Sequence, residues 1–203
     1  MAAGSTRYWA AAVHAGRVVV DTGEQRLPLR HSHHRYDICG PNGVQTLTVP
    51  LVANTHNMAA PMRDVRISEH AHWRRVHWGA LYSAYGKTPY FDYVADDLQR
   101  IIGGSQHFLL DFNRQMQELI TDFMALPVAF EYRPVDADVL GEAADMRQTL
   151  GAKKCDGRQL PDVAYYQLWQ DRFGFVPHLS IIDLMMNTGR EGLLTLTQMH
   201  TPG

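Results

Sequence analysis

The sequence predicts a mixed α/β (α+β) domain, in which a small sheet with a β-hairpin packs against a cluster of amphipathic helices. Three observations predict it. A strand–turn–strand signal is centred on Pro41-Asn42-Gly43. Three successive stretches between residues 73 and 123 carry apolar side chains at helical spacing. The element order is strand, hairpin, three helices, strand and terminal helices, which places helices and strands in blocks and does not alternate them. The chain has 203 residues, 45% apolar and 20% charged, sufficient for one core without disulfides or metal. Residues 1–203 therefore read as a single domain.

Residues 7–14, with Tyr8, Trp9 and Val13, read as a short helix that Gly16 stops. Residues 17–21 follow, a run of valines ending in Asp21, and a continuous apolar run suits a buried strand. Residues 34–39 and 44–51 flank the Asn-Gly turn, where both turn residues tolerate positive φ. Leu47, Val49 and Leu51 alternate with Thr46, Thr48 and Pro50, the period of a half-buried strand. On the incoming strand Arg35, Asp37 and Cys39 share one face, and His34, Tyr36 and Ile38 the other.

Residues 65–67 read as a short strand. Ser68 is placed to cap a helix beginning at Glu69, with Trp73, Val76, His77, Ala80, Leu81 and Ala84 as its stripe and Gly86 as its end. Thr88-Pro89 starts the next helix, proline being harmless at the first helical position. Ser105 is the expected cap of a third, whose stripe runs from Leu109 to Phe123. Residues 128–132 read as a strand. Residues 135–161 are polar and glycine-punctuated, an irregular region with a short helix expected around 141–150. Residues 165–173 are rich in aromatics. A helix capped by Ser180 and a last one over 191–199 complete the chain.

Several classes of function are absent. A net charge of −2 lacks the basic excess of a general nucleic-acid binder. No apolar stretch approaches a membrane span, and the first residues do not read as a secretory signal, so a cytoplasmic location is expected. Cys39 and Cys155 give neither a disulfide framework nor a zinc ribbon. No glycine fingerprint, phosphate loop or GxSxG elbow occurs. Any site must be assembled in space, and the sequence names no cofactor.

Four groups are candidates. His31 and His33 sit two apart and would share a strand face, a spacing that can chelate zinc. A third ligand would have to come from elsewhere, for example Asp21, Glu24 or His77, and on this incomplete set no metal site is assigned. Arg35, at the start of the hairpin, suits a fork gripping phosphate or carboxylate, and equally an ion pair with Asp37, Asp21 or Asp183. Trp73 and His77 share a helix face, and an indole beside an imidazole stacks a sugar or base, although core packing explains the same stripe. Ser180 and Asp183 mark a helix start, where a carboxylate is stabilised and a substrate hydroxyl can be accepted; capping accounts for the same pattern.

Three blocks carry a resemblance. Arg35-Tyr36-Asp37-Ile38 leads into Asn42-Gly43-Val44 and Leu47-Thr48-Val49-Pro50. Trp73, His77-Trp78-Gly79-Ala80-Leu81 and Ala84-Tyr85-Gly86-Lys87-Thr88-Pro89-Tyr90-Phe91 form the second. The third runs from Phe173-Gly174-Phe175-Val176-Pro177-His178 to Leu179-Ser180-Ile181-Ile182-Asp183-Leu184. In this order they resemble the WbqC-like family. The resemblance implies a cytoplasmic bacterial protein linked to surface-polysaccharide gene clusters, including O-antigen loci. It also implies that the family's apolar first strand is missing ahead of residues 4–9, and that His34 stands where the family often carries Asn.

The combined expectation is an enzyme, a transferase acting on a nucleotide-activated sugar or a similar small anionic metabolite. Arg35 would hold phosphate, Trp73 and Tyr85 would stack the sugar or base, Asp21 and Ser180 would be further substrate-binding residues, and His77 or Asp183 would move the proton. The alternative is a non-catalytic binding or assembly factor in the same pathway. Convergence of Arg35, His77 and Asp183 on one pocket would favour the enzyme.

Overall fold

Ser5 opens the first helix: its backbone is extended and its Oγ accepts the Tyr8 N–H at 3.4 Å. Helix α1 runs Thr6–Ala15 and ends at Gly16, whose φ of 67° brings its N–H onto the carbonyls of Ala12 and Val13, the left-handed exit that glycine takes at no steric cost. A computed structural model describes residues 3–24, 33–53, 60–135, 144–146 and 160–200. His31, Cys155 and most of the expected irregular region 135–161 lie outside these residues.

Strand β1 (Arg17–Asp21) pairs in parallel with β4 (Ala129–Arg133), Arg17 opposite Ala129 and Asp21 opposite Arg133. The valine run predicts a buried strand, yet β1 is only half-buried. A sheet of two strands has too little cover to enclose both faces. Strands β2 (Arg35–Gly40) and β3 (Gly43–Thr48) form the antiparallel hairpin, with Gly40 opposite Gly43. Positive φ falls at Gly43 (96°) and not at Asn42. The sheet expected as one is thus two separate pairs.

The expected strand at residues 65–67 makes isolated bridges only, Leu51 with Ile67 and Arg66 with Phe108. The next helix starts later than Ser68 suggests. Ser68 Oγ accepts the His70 N–H at 3.3 Å, but Ala71 and His72 then turn left-handed, and α2 begins only at Trp73, running Trp73–Tyr85. Its buried stripe is Trp73, His77, Leu81, Ala84 and Tyr85, while Val76 is exposed. Helices α3 (Phe91–Ile102) and α4 (Leu109–Met124) also begin a few residues past Thr88-Pro89 and Ser105, without side-chain caps.

A short α5 (Gln170–Phe173) precedes α6 (Ile181–Thr188), a 3-10 turn at Gly189–Glu191, and α7 (Gly192–Gln198). Every residue from Ile181 to Asn187 is buried, so α6 is apolar nearly all round and sits inside the molecule. Phe112, Met116, Ile120 and Met124 of α4, Leu98 and Ile102 of α3, and Trp9 of α1 fill the same core. Gly192 lets α7 close on α4, for a Cβ there would stand 2.6 Å from Met124 Cε.

Two helix starts are tied together. Thr6 N–H donates to Leu179 O at 3.0 Å and Ile181 N–H to Gly4 O at 2.9 Å, around an antiparallel bridge between Ser5 and Ser180. On its other side, Ser180 N–H donates to Asp37 O at 2.9 Å. The entry to α6 is therefore held between the approach to α1 and the free edge of β2. At the far end of α1, His14 Nε2 lies 3.2 Å from Met199 O.

Candidate functional site

The start of α6 brings a carboxylate into the core. Asp183 is 1% exposed. Its Oδ2 accepts from the Tyr165 hydroxyl at 2.8 Å and from Gln167 Nε2 at 3.1 Å, and the Tyr85 hydroxyl is a further hydrogen-bond partner. Burial lifts the Asp183 carboxyl to about 6, over the opposing pull of Tyr165, Tyr85 and Gln167. A group poised there exchanges protons near neutrality.

The edge of β2 explains how the second tyrosine arrives. Cys39 N–H points away from β3 and donates to Tyr85 Oη at 3.3 Å. Tyr85 thus accepts from the strand edge and bonds to the carboxyl. Burial, and then the Asp183 charge, push both the Tyr85 hydroxyl and the Cys39 thiol upward. A thiol held protonated is not an activated nucleophile, so Cys39 walls the site. Tyr165 differs from Tyr85 in being half-buried.

Gln167 fixes the segment that carries Tyr165. Its Oε1 accepts the Val176 N–H at 2.8 Å and its Nε2 donates to Val176 O at 3.0 Å. Leu168 N–H donates to Asn187 Oδ1 at 3.0 Å, and Trp169 Nε1 to Ala84 O at 2.9 Å. Residues 165–169 are thereby laid across α6 and the end of α2.

Capping does not account for Ser180 and Asp183. Ser180 is the N-cap residue, but its side chain caps nothing, and its buried Oγ has no hydrogen-bond partner among the described residues. The Asp183 carboxyl is turned onto Tyr165, Tyr85 and Gln167 instead of serving the helix start.

The structure separates the other expected site residues. His77 is locked: its Nδ1 lies 3.3 Å from the Tyr36 hydroxyl and its Nε2 3.1 Å from Thr48 O. Burial lowers its pKa to about 4, so the ring is neutral, and both nitrogens are occupied by the hairpin. Trp73 packs edge-on against His77 and Phe112 and beneath the Arg74 guanidinium, leaving no ring face for a guest. Tyr85 is wholly buried; it contributes a hydroxyl, not the stacking surface expected of it. Asp21 Oδ1 accepts the N–H groups of Gly23 and Val135 at 2.9 and 3.2 Å, which closes the ends of β1 and β4.

The expected convergence of Arg35, His77 and Asp183 is not found. His77 and Tyr85 are eight residues apart on α2, roughly 12 Å along the helix, and β2 matches them at its opposite ends through Tyr36 and Cys39. Asp183 belongs to the Tyr85 end. Arg35 is exposed, and its side chain makes no ion pair or hydrogen bond among the described residues. The alternative pairing with Asp37 is not made, since Asp37 accepts from Thr46 Oγ1 at 2.5 Å. Strand alternation sets Arg35 on the Cys39 side of β2.

Tyr165 and Gln167 were not among the expected residues. Their only sequence signal is the aromatic-rich stretch before α6, because both act through long-range contacts. No group of His, Cys, Asp and Glu among the described residues could hold a metal ion. Among the same residues no helix is long and apolar enough to cross a membrane.

Comparisons with known proteins agree with the first two blocks. The chain is 26% identical over 189 residues to the uncharacterized protein Rv1507c of Mycobacterium tuberculosis (strain ATCC 25618 / H37Rv), covering 80% of each. No solved structure matches. The model of the WbqC-like protein family matches residues 27–155, so the third block, with Asp183, lies beyond the matched span. With more than half of its length matched, the chain belongs to the WbqC-like protein family.

Proposed function

We propose that this protein is an enzyme of bacterial surface-polysaccharide biosynthesis, a cytoplasmic transferase acting on a hydroxyl-bearing anionic metabolite such as a nucleotide-activated sugar. Residues 1–203 act as one domain. One observation carries the reading: a buried carboxyl near pKa 6, Asp183, is shared by two phenols and an amide, one of those phenols being half-buried. Core carboxyls without a task are rare because burying them is costly.

Asp183 accepts a proton through Tyr165, and Tyr85 holds the carboxyl against the β2 edge. Arg35 supplies the cation for phosphate, since its guanidinium is exposed and unpaired among the described residues. It stands four residues before Cys39, about 13 Å along the strand, a separation that suits a phosphate held apart from the reacting hydroxyl. Trp73, His77 and Asp21 have structural duties.

The non-catalytic alternative draws on His77, whose two nitrogens are engaged within the protein. A thermal-shift panel of nucleotide sugars tests both readings for a ligand. Stabilisation should grow with concentration for a binding sugar nucleotide, and Arg35→Ala should abolish it. Flat melting curves across the panel reject the nucleotide-sugar reading. Binding without turnover in Asp183→Asn, but with turnover in the parent, separates an enzyme from a binding factor.

A further inference from the structure

A second acid–base pair lies on the outside of the same strap. Residues 162–167 run against residues 176–183, and side chains join them: Gln167 to Val176, Tyr165 to Asp183, and Asp162 to His178. Asp162 Oδ1 is 2.9 Å from His178 Nδ1, and Asp162 Oδ2 takes the Arg7 guanidinium at 3.0 Å. The carboxylate is thus fixed from both sides, by α1 and by the loop entering α6.

His178 is held in an unusual way. Its φ is 64°, in the left-handed region that non-glycine residues seldom adopt. Its side chain is 45% exposed. With Nδ1–H donated to Asp162, Nε2 is left as the acceptor of a half-exposed imidazole, and it makes no hydrogen bond among the described residues. A carboxylate that fixes the tautomer and a ring nitrogen without a protein partner are two features of a histidine general base. Burial lowers the ring's pKa, Asp162 opposes this, and Arg7 adds to it, so the ring is in its basic form at pH 7.

We propose that Asp162 and His178 form a second proton-transfer site, in which His178 Nε2 takes the proton of a hydroxyl group or water approaching from solvent. The O–H bond breaks, an Nε2–H bond forms, and the electron pair stays on the oxygen, which bonds to the acyl carbon of an activated ester as that carbon's bond to the leaving oxygen breaks. Asp162 stabilises the imidazolium until Nε2 returns the proton to the leaving oxygen. No hydrogen bond joins this pair to Asp183 among the described residues, and the inference stands whatever the ligand of Asp183.

Diethyl pyrocarbonate acylates neutral imidazole nitrogens and reads the site residue by residue on the full chain. At pH 7, His178 should react about fivefold faster than the exposed His70 and His72, and Asp162→Asn should remove the advantage. Parity in the parent protein, or an unchanged rate in Asp162→Asn, overturns the proposal. Nitrogen-15 spectra of the parent supply a measurement that needs no variant: the Nδ1–H tautomer is expected, and the Nε2–H tautomer overturns it. With p-nitrophenyl acetate and water as the hydroxyl source, His178→Gln should cut the protein-dependent rate about threefold or more; an unchanged rate rejects catalysis at this nitrogen.

Discussion

The Tyr165 hydroxyl donates to Asp183 Oδ2 at 2.8 Å, and the phenol that carries it is half-buried while the carboxyl is buried. This contact joins an irregular segment to the first turn of a core helix. It makes the ionisation of Asp183 answerable to how that segment lies.

Two buried groups should tilt the pH dependence of stability in opposite directions. Asp183 is raised from 3.8 to about 6, so between those values the folded state holds more protons and stability falls as pH rises, by about 3 kcal/mol in all. His77 is lowered from 6.5 to about 4, so its contribution is present above pH 6.5 and is lost as pH falls to 4, again by about 3 kcal/mol. Denaturant melts from pH 4 to 6.5 should give a nearly flat profile for the parent. Asp183→Asn should rise with pH and His77→Gln should fall. Parallel profiles would contradict both assignments.

Removing either phenol's hydroxyl should weaken the site, but unequally. Tyr165→Phe deletes one donor to Asp183, at about 1.5–3 kcal/mol when the carboxyl is charged. Tyr85→Phe deletes a donor and also leaves the Cys39 N–H unpaired in the core, which adds about 1–3 kcal/mol. Urea titrations at pH 7 should rank Tyr85→Phe as the less stable.

Arg35→Ala should leave the midpoint of unfolding within about 0.5 kcal/mol of the parent, the ordinary effect at an exposed position without partners. Its effect should appear in ligand binding alone, as a lost thermal shift with sugar nucleotides. A large fall in stability would make Arg35 a structural residue.

Gly189→Ala should destabilise by about 2–4 kcal/mol. Gly189 has φ 56° and its missing Cβ would lie 2.4 Å from Tyr90 Cε1. The backbone angle and the Tyr90 ring both oppose a side chain at this turn between α6 and α7, and calorimetry should show a lower melting temperature with unchanged far-ultraviolet circular dichroism.

Local signals were readable where local chemistry decides. Asn-Gly marked the hairpin, and apolar spacing marked α2, α3 and α4. Helix starts were misplaced at Ser68, Pro89 and Ser105 because tertiary packing set the first turn, not a cap. The parallel pairing of β1 with β4 spans more than a hundred residues and leaves no local trace. In the site, Asp183 and Tyr85 were nameable one at a time, but their meeting through the edge of β2 was not. Tyr165, Gln167 and the Asp162–His178 pair depend on a strap laid across α6 by side chains, and no periodicity encodes that. Trp73 and His77 mislead for a plain reason: a helix face that suits a stacked guest suits a hydrophobic core equally well.

The bridge from Ser5 to Ser180 makes α1 a ruler between two distant parts of the fold. One tip of that ten-residue rod, about 15 Å long, abuts the carboxyl-bearing turn, and the other abuts Met199. A label placed at Ser5 would crowd the carboxyl-bearing turn, whereas one placed at the exposed His200 would sit a rod's length away. Labels for assays of this protein therefore belong at the Met199 end of α1.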